Sequence, residues 1–536
     1  MKPFAELLDR LVLTPSRNGK LRLLVDYVRS TPDPDRGYAI AAITRDLDIP
    51  SVKQAMIRGL VEERVDPELF GYSYDFVGDM AETISLIWPG KNGSEETATL
   101  RLSAIIETLQ AASRSEGPKL VEGWLDQLDD QGRYALIKLI TGGLRIGVSS
   151  RLIKQALADF GDKDVNEIEE LWHGLGVPFL ELFAWLDGKA EKPESAAASP
   201  FRPAMLATPT DADELQKYAP SDYAAEWKWD GIRVQVTCER GVPRIYSRTG
   251  DDISRSFPDL LAAMDFEGSL DGELLVGRSS DDGIEVGTFG DLQQRLNRKT
   301  VSAKKQTEFP VFVRAYDLLQ NSEADLRSLP FGERRKQLVQ FVPQLDPSRF
   351  DLSPLVNFES WDEIAELRND PPDPIIEGLM LKRWDSAYVP GRPKGPWFKW
   401  KRDPFLVDAV LMYAQRGHGK RSSFYSDFTF GVWTGPEDDP QIVPVGKAYF
   451  GFTDEELKQL DKYVRDNTTE RFGPVRSVRA EPDHGLVLEI AFEGLNRSTR
   501  HKSGVAMRFP RISRLRWDKP ARDADRLEAL EDMLLS

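Results

Sequence analysis

At 536 residues the chain is long enough for about three domains, and 40% hydrophobic with 29% charged residues describes folded cores in water, not a disordered polymer. Lysine and arginine number 71 against 87 aspartates and glutamates, a net charge of −16 that excludes a uniformly basic nucleic-acid binder while leaving room for local basic grooves. The single cysteine, Cys238, excludes an intrachain disulfide framework and any four-cysteine zinc module.

The start of the chain meets Glu6 and Asp9 before any long apolar run, so neither a signal peptide nor a membrane span is expected and a cytoplasmic location is the default. Residues 1–188 read as helical. Leu21, Leu24, Val25 and Val28 recur at helical spacing, as do Leu102, Ile105, Ile106 and Leu109, each set leaving a polar opposite face. Thr31-Pro32-Asp33-Pro34 and Trp88-Pro89-Gly90 break the pattern. In Thr141-Gly142-Gly143-Leu144-Arg145-Ile146-Gly147 the glycines permit close backbone approach and Arg145 can meet a phosphate, although a plain helix-to-helix turn reads equally well.

Residues 189–203, with Glu191-Lys192-Pro193-Glu194-Ser195 and Ala196-Ala197-Ala198-Ser199-Pro200, read as a hinge-like linker. After it the period changes to two. Across 204–402, Ile232, Val234, Val236 and Cys238 alternate with Arg233, Gln235 and Thr237, and Gly241 turns the chain into Arg244-Ile245-Tyr246, as in an antiparallel meander that begins at Lys228.

Lys228 itself lies in Glu226-Trp227-Lys228-Trp229-Asp230-Gly231-Ile232-Arg233. A lysine between bulky rings can occupy a partly dry pocket, where desolvation and nearby cations favour the neutral amine that attacks an electrophile. Gly231 would allow a sharp turn beside it, and the fork of Arg233 suits a phosphate. Ser247-Arg248-Thr249-Gly250 adds a cation at a strand end. Leu270-Asp271-Gly272-Glu273-Leu274 and Ile375-Ile376-Glu377-Gly378-Leu379-Met380-Leu381-Lys382 each set a glutamate and a glycine in an apolar strand, the first beside a presumed glycine turn. Two such hard-oxygen donors suit Mg²⁺ or Mn²⁺ bridging to a phosphate. Tyr316 offers a ring on which a base can stack, and Trp397-Phe398-Lys399-Trp400-Lys401 sets two lysines on one strand face.

Residues 403–536 contain Asp408 to Tyr413, Phe428 to Trp433 and Leu486 to Phe492, strands that fit a small Greek-key barrel, with a helix after Thr453 as N-cap. From Gly494 to Lys519 the charge reverses. Arg497, Arg500, Lys502, Arg508, Arg511, Arg514, Arg516 and Lys519 interleave with Phe509, Ile512 and Trp517, a pattern suited to phosphate contact, and Asp518 is the one acid in that span.

Taken in order, the Lys228 to Arg233 stretch, the Arg248 turn, the Glu273 and Glu377 strands and the Lys399-Trp400-Lys401 strand resemble the collinear motifs of covalent nucleotidyltransferases. Arg508-Phe509-Pro510-Arg511 with Arg516-Trp517-Asp518-Lys519 resembles the last motif of ATP-dependent DNA ligases, and Gly143 to Gly147 is similar to part of the helical DNA-binding domain of the larger ligases. Leu13-Thr14-Pro15-Ser16-Arg17-Asn18-Gly19-Lys20 resembles bacterial ligases of this size that accompany an Lhr-type helicase, an exonuclease and a metallophosphoesterase in repair clusters.

The resemblance implies an all-α DNA-binding domain at 1–188, a linker at 189–203, an α+β adenylation domain at 204–402 and an OB-fold barrel at 403–536. By similarity Lys228 carries AMP, Glu226 accepts from the adenine amino group, Tyr316 stacks on the base, and Arg233 and Arg248 hold phosphates. Glu273 lies near ribose and metal, Glu377 binds metal, Lys399 and Lys401 contact the α-phosphate, and Asp518 and Lys519 orient pyrophosphate. The family often carries an arginine six residues before the first lysine of the Trp-x-Lys-x-Lys motif. Here that place is Pro393, flanked by Arg392 and Lys394; the sequence leaves open which of the two, if either, substitutes, and Arg392 is carried among the cofactor-binding candidates. Arg145, Arg497, Arg500, Arg508 and Arg511 are the expected DNA contacts.

ATP, Mg²⁺ or Mn²⁺ and nicked duplex DNA are the implied ligands of a monomeric, nucleoid-associated enzyme. An NAD-dependent ligase is disfavoured by the lone cysteine. An RNA ligase or capping guanylyltransferase is disfavoured by the long helical leader and the arginine-rich end.

Overall fold

The structure is a computed structural model that describes residues 1–89, 100–194, 197–280, 283–296, 298, 300–416, 425–449, 451, 453–499 and 501–535. The chain forms two compact units, one from Met1–Ser16, Asp48–Gly147 and Asp403–Ser536, the other from Arg17–Leu47 and Val148–Arg402.

In the first unit, helices such as Lys2–Leu13, Met80–Ile87, Leu102–Ala111 and Asp130–Thr141 form as the apolar spacing requires, and Leu102, Ile105, Ile106 and Leu109 are all buried. Asp66, Asp79 and Asp129 cap three helix starts by accepting from backbone amides of the first turn. Its C-terminal part is a sheet built on the strand Phe405–Arg416. That strand pairs with Tyr425–Thr434 along one edge, and along the other first with Val487–Phe492 and then with Val475–Val478.

Two register shifts, at Leu411/Tyr413 and Gln415/Arg416, accompany this division. Among the described residues the ladder does not close, and Gly494–Arg497 pairs with Val505–Arg508 as a separate ribbon. The expected barrel is therefore an OB-fold-type sheet assembly without a continuous hydrogen-bonded wall. Thr453 caps the helix Asp454–Asp466 in a capping box with Glu456, as the sequence predicts.

In the second unit, helices including Arg17–Ser30, Asp35–Thr44 and Ser150–Gly161 precede two mixed sheets. Arg36 ties this helical part together through Asp33 at 2.7 Å and Asp187 at 2.8 Å. The end of the linker is not a free hinge: Phe201 and Arg202 are buried, Arg202 donates to Glu239 at 2.6 Å, and the Ser199 hydroxyl accepts from the Glu239 amide at 2.9 Å.

The five-stranded sheet has the order Thr208–Pro209, Trp397–Lys401, Ile376–Arg383, Tyr223–Trp229, Leu355–Val356. The seven-stranded sheet centres on Gly268–Ser280, between Ile232–Glu239 and Val311–Asn321. The meander expected to begin at Lys228 is thus divided. Lys228 lies in one sheet, and the strand after Gly231 lies in the other. Gly231 makes the crossing possible, because a Cβ there would stand 2.6 Å from the Leu274 carbonyl oxygen. Gly272 likewise is no turn but lies within Gly268–Ser280, where a Cβ would press on Val313 at 2.6 Å.

Candidate active site

In the five-stranded sheet Lys228 stands opposite Gly378, and Gly378 opposite Lys401; two residues along, Glu226 faces Met380, which faces Lys399; next, Ala224 faces Lys382, which faces Trp397. Directly opposed residues of an antiparallel ladder share a face. Lys228, Glu226, Lys382, Lys399, Lys401 and Trp397 therefore line one surface. Trp227, Leu379, Leu381, Phe398 and Trp400 go to the core on the other. The seven-stranded sheet is divided in the same way: Val234, Val236, Leu270 and Leu274 are core, and Arg233 and Glu273 stand opposite each other on the polar side.

Glu377 escapes this alternation. The register shifts between Ile376 and Gly378, and Gly378 has φ +144° and backs onto the Trp400 carbonyl where no Cβ would fit. The bulge brings the Glu377 carboxylate 2.6 Å from Lys228 Nζ and 3.4 Å from Lys401 Nζ. Burial pushes this carboxyl up, but Lys228 and Lys401 outweigh it and leave Glu377 below its ordinary value. Glu273 goes the other way. Burial raises it to about 7, with Lys228 opposing and the Glu377 charge adding to the rise.

Lys399 is the centre of a cationic group. Burial lowers its ammonium pKa, followed by the charges of Arg392, Lys228, Lys401 and Arg248, so these four share its field. Among the described residues no acid pairs with Lys399, Arg248 or Arg392. Pro393 presents only its carbonyl, which accepts from Thr208 at 3.4 Å.

Beside the cations is a dry polar network that the sequence reading missed. Glu226, 2% exposed, pairs with Lys382 at 2.6 Å and Arg335 at 3.1 Å. Lys382 Nζ also lies 4.2 Å from the centre of the Tyr316 ring. Asp271, 1% exposed, takes both branches of the Arg233 fork and accepts from Tyr388 at 2.7 Å and Tyr316 at 3.3 Å. Arg233, expected at a phosphate, instead has its guanidinium engaged by Asp271 and the Met205 carbonyl. Burial raises the Tyr316 phenol far above its ordinary pKa, so the ring stays neutral. The sequence motifs held Glu226, Arg233, Asp271, Tyr316 and Lys382 without showing that they join one another; Arg335 and Tyr388 lie outside every motif.

Family profiles match three consecutive stretches: "DNA ligase N terminus" over residues 1–158, "ATP dependent DNA ligase domain" over 204–401 and "ATP dependent DNA ligase C terminal region" over 421–519. A "Probable DNA ligase" from Koribacter versatilis is 31% identical, with 100% of this chain and 97% of that protein aligned. The chain belongs to the ATP-dependent DNA ligase family. "DNA ligase 1" of Korarchaeum cryptofilum is 28% identical over 99% of this chain and 98% of its own length. Among solved structures, Pmar-Lig_PreS3 shares the fold with a TM-score of 0.58 at 16% identity, covering 96% of this chain and 99% of that one.

The other candidates of this ligase-family chain lie in the first unit. Arg145 is exposed at φ +48° in the loop after Asp130–Thr141, whose C-cap is Gly142 at φ +71°. Among the described residues no atom beyond the adjacent ones in the chain stands within 4 Å of a Cβ built on Gly142 or Gly143. In the basic run, Arg511 pairs with Glu493 at 2.8 Å, Lys519 with Asp408 at 2.8 Å, and Arg516 with Asp518 at 2.9 Å and Asp408 at 3.3 Å. Arg516 holds the Asp518 carboxyl down to about 2. Burial lowers the Arg508 guanidinium. Arg497 ends the Gly494–Arg497 strand, exposed. Arg500 lies outside the described residues. No helix among the described residues is long and apolar enough to cross a membrane.

Proposed function

We propose that the chain is an ATP-dependent DNA ligase that seals 5′-phosphate/3′-hydroxyl nicks in duplex DNA through AMP carried on Lys228, and that it serves DNA repair. The observation that carries the residue assignment is the union of Lys228 and Glu377 at 2.6 Å with the cations Lys399, Arg248 and Arg392, which no acid among the described residues pairs, around them. Nucleotidyl transfer needs neutralised phosphate charge and in-line placement more than acid-base work, and this face offers cations in a half-buried site.

In the first step the neutral Lys228 amine forms an N–P bond to the α-phosphorus of ATP as the bond to the β-phosphate oxygen breaks and pyrophosphate leaves. AMP then passes from Lys228 to the 5′-phosphate of a nick. The adjacent 3′-hydroxyl attacks that activated phosphate, and AMP departs. Lys399 and Lys401 neutralise the α-phosphate, and Arg248 and Arg392 hold the phosphates beyond it. Glu226, anchored by Arg335 and Lys382, accepts from the adenine amino group beside the Tyr316 ring. Arg233 positions Asp271 and the tyrosines instead of gripping phosphate directly. Asp518 and Lys519 serve the departing pyrophosphate, and Arg145, Arg497, Arg500, Arg508 and Arg511 contact the duplex. The working domains are 1–188, 204–402 and 403–536, joined by 189–203.

Glu273 and Glu377 fit a divalent cation, since the Glu377 charge raises the cost of ionising Glu273 and both offer hard oxygens. Among the described residues no three-acid cluster stands ready, so water and phosphate would complete the shell. A bound Mg²⁺ or Mn²⁺ supplies charge neutralisation at the triphosphate. The enzyme works as a nucleoid-associated monomer, with helicase, nuclease and phosphoesterase activities as repair partners.

Incubating the full chain with α-labelled ATP and Mg²⁺ should leave label on the protein through denaturing electrophoresis, and nicked DNA should then discharge it. A folded wild type that takes no label would overturn the enzyme assignment. Discharge with sealing on nicked RNA alone would overturn the substrate.

A further inference from the structure

Arg248 is exposed on the turn that follows the strand Val242–Ser247, and no acid among the described residues holds it. The turn fixes its own shape. The Gly250 amide donates to the Ser247 carbonyl at 2.9 Å, the Ser247 amide to the Asp251 carbonyl at 2.9 Å, and the Thr249 hydroxyl to the Asp251 carboxylate at 2.6 Å. None of these bonds anchors the turn to the rest of the unit.

The anchoring comes from the helical segment. His173 belongs to the short 3₁₀ turn Trp172–Gly174. Its ring lies 4.6 Å from Tyr246, one residue before the turn begins, and 6.4 Å edge-on from Phe201. Phe201 in turn sits 2.9 Å from where a Cβ on Gly250 would project, and Gly250 takes φ +84°, so the turn rests flat on that ring. Among the described residues the imidazole Nε2 is buried without a hydrogen-bond partner, so the hold on the turn is one of packed rings.

Behind His173 the wall is rigid. Trp172 donates to Asp46 at 3.0 Å, packs on Phe179 at 4.8 Å, and carries the buried Lys154 ammonium 4.9 Å from its ring. Burial and the Lys154 charge lower the imidazole pKa, with Asp252 and Asp46 opposing. No step of the reaction uses this histidine.

We infer that His173, on the helical segment, is a positioning residue that holds the Arg248 turn where its guanidinium meets the ATP phosphates. The inference rests on the proposed phosphate role of Arg248. The test is the ATP dependence of lysyl-AMP formation in the full chain for wild type, H173L, H173F, R248A and the H173L/R248A double variant, each checked for its melting temperature.

H173L should raise KM for ATP about tenfold with little change in kcat, because a displaced clamp weakens binding more than it alters the reacting atoms. H173F keeps an aromatic ring against Tyr246 and Phe201 and should recover most of the loss. In the double variant the effect of H173L should vanish into that of R248A, since two members of one linkage are not additive. An unchanged KM in H173L, or a tenfold rise that persists undiminished on top of R248A, would overturn the inference. Should H173L fail to fold, H173A removes the ring without adding bulk and decides the same question. A wild type without label would defeat the ligase reading, and R248A with wild-type KM would defeat the phosphate role of Arg248 and this inference with it, both separable from an effect that fails only at His173.

Discussion

Two basic regions of this chain look alike in the sequence and differ in the structure. Around Lys228, the cations Lys399, Arg248 and Arg392 have no acid partner among the described residues, and burial, followed by the neighbouring positive charges, lowers the Lys399 ammonium. In the arginine-rich run near the C-terminal end, Arg511, Arg516 and Lys519 are each matched by a carboxylate, several of them from distant strands. A cluster of like charge that nothing neutralises is costly in a folded protein unless a ligand of opposite charge completes it. Those paired members of the run are closer to ordinary surface. The Lys228 face therefore keeps positive charge uncompensated in a way that charge counting alone does not reveal.

The comparison can be broken or sharpened by substitution. The largest effect is expected at Lys228, where Lys228→Ala should abolish the labelled adduct altogether, read by denaturing electrophoresis. Lys399→Ala should lower the rate of adduct formation about a hundredfold, the usual cost of removing a preorganised charge from a developing oxyanion. Arg392→Ala should raise KM for ATP about tenfold, in keeping with loss of one charged hydrogen bond. A negligible change there would transfer the Pro393 substitution to Lys394.

Since the Lys399 ammonium is lowered by burial and then by Arg392, it loses its proton at lower pH than an ordinary lysine. Charge on the site is present below that pKa and lost above it, so KM for ATP should climb on the alkaline side in wild type and stay flatter in Lys399→Arg. The smallest effects belong to the paired run. Arg511→Ala, which breaks a part-exposed pair with Glu493, should cost no more than about 1 kcal/mol in thermal unfolding. Arg497→Ala should instead lessen the salt dependence of nick binding by a slope of about 1.

Much of the site was legible because strands announce their faces. Alternation placed Lys399 and Lys401 together, and the glutamates sat where strand and glycine met. What was not legible depended on long-range register or on bulges. The same two-residue alternation joins Lys228 to the following strand on paper, whereas Gly231 hands the chain to another sheet. Glu377 looks like one position of a regular strand, and only the shift at Gly378 turns it onto Lys228. Arg233 carries the right fork for a phosphate, but Asp271, 38 residues away, occupies it. The pairing of Arg516 with Asp408 spans 108 residues, so no local reading of the basic run could find it. Helix spacing and caps were read correctly because both are local, as at Leu102 to Leu109 and Thr453.

The central claim is that one lysine of the catalytic face carries AMP. Intact-mass analysis of the full chain after ATP and Mg²⁺, followed by peptide mapping, tests it most directly. A single added AMP on the peptide bearing Lys228, lost on exposure to nicked duplex DNA, is the predicted result. AMP found on Lys399, Lys401 or any other residue, or no added mass on a folded chain, would contradict it.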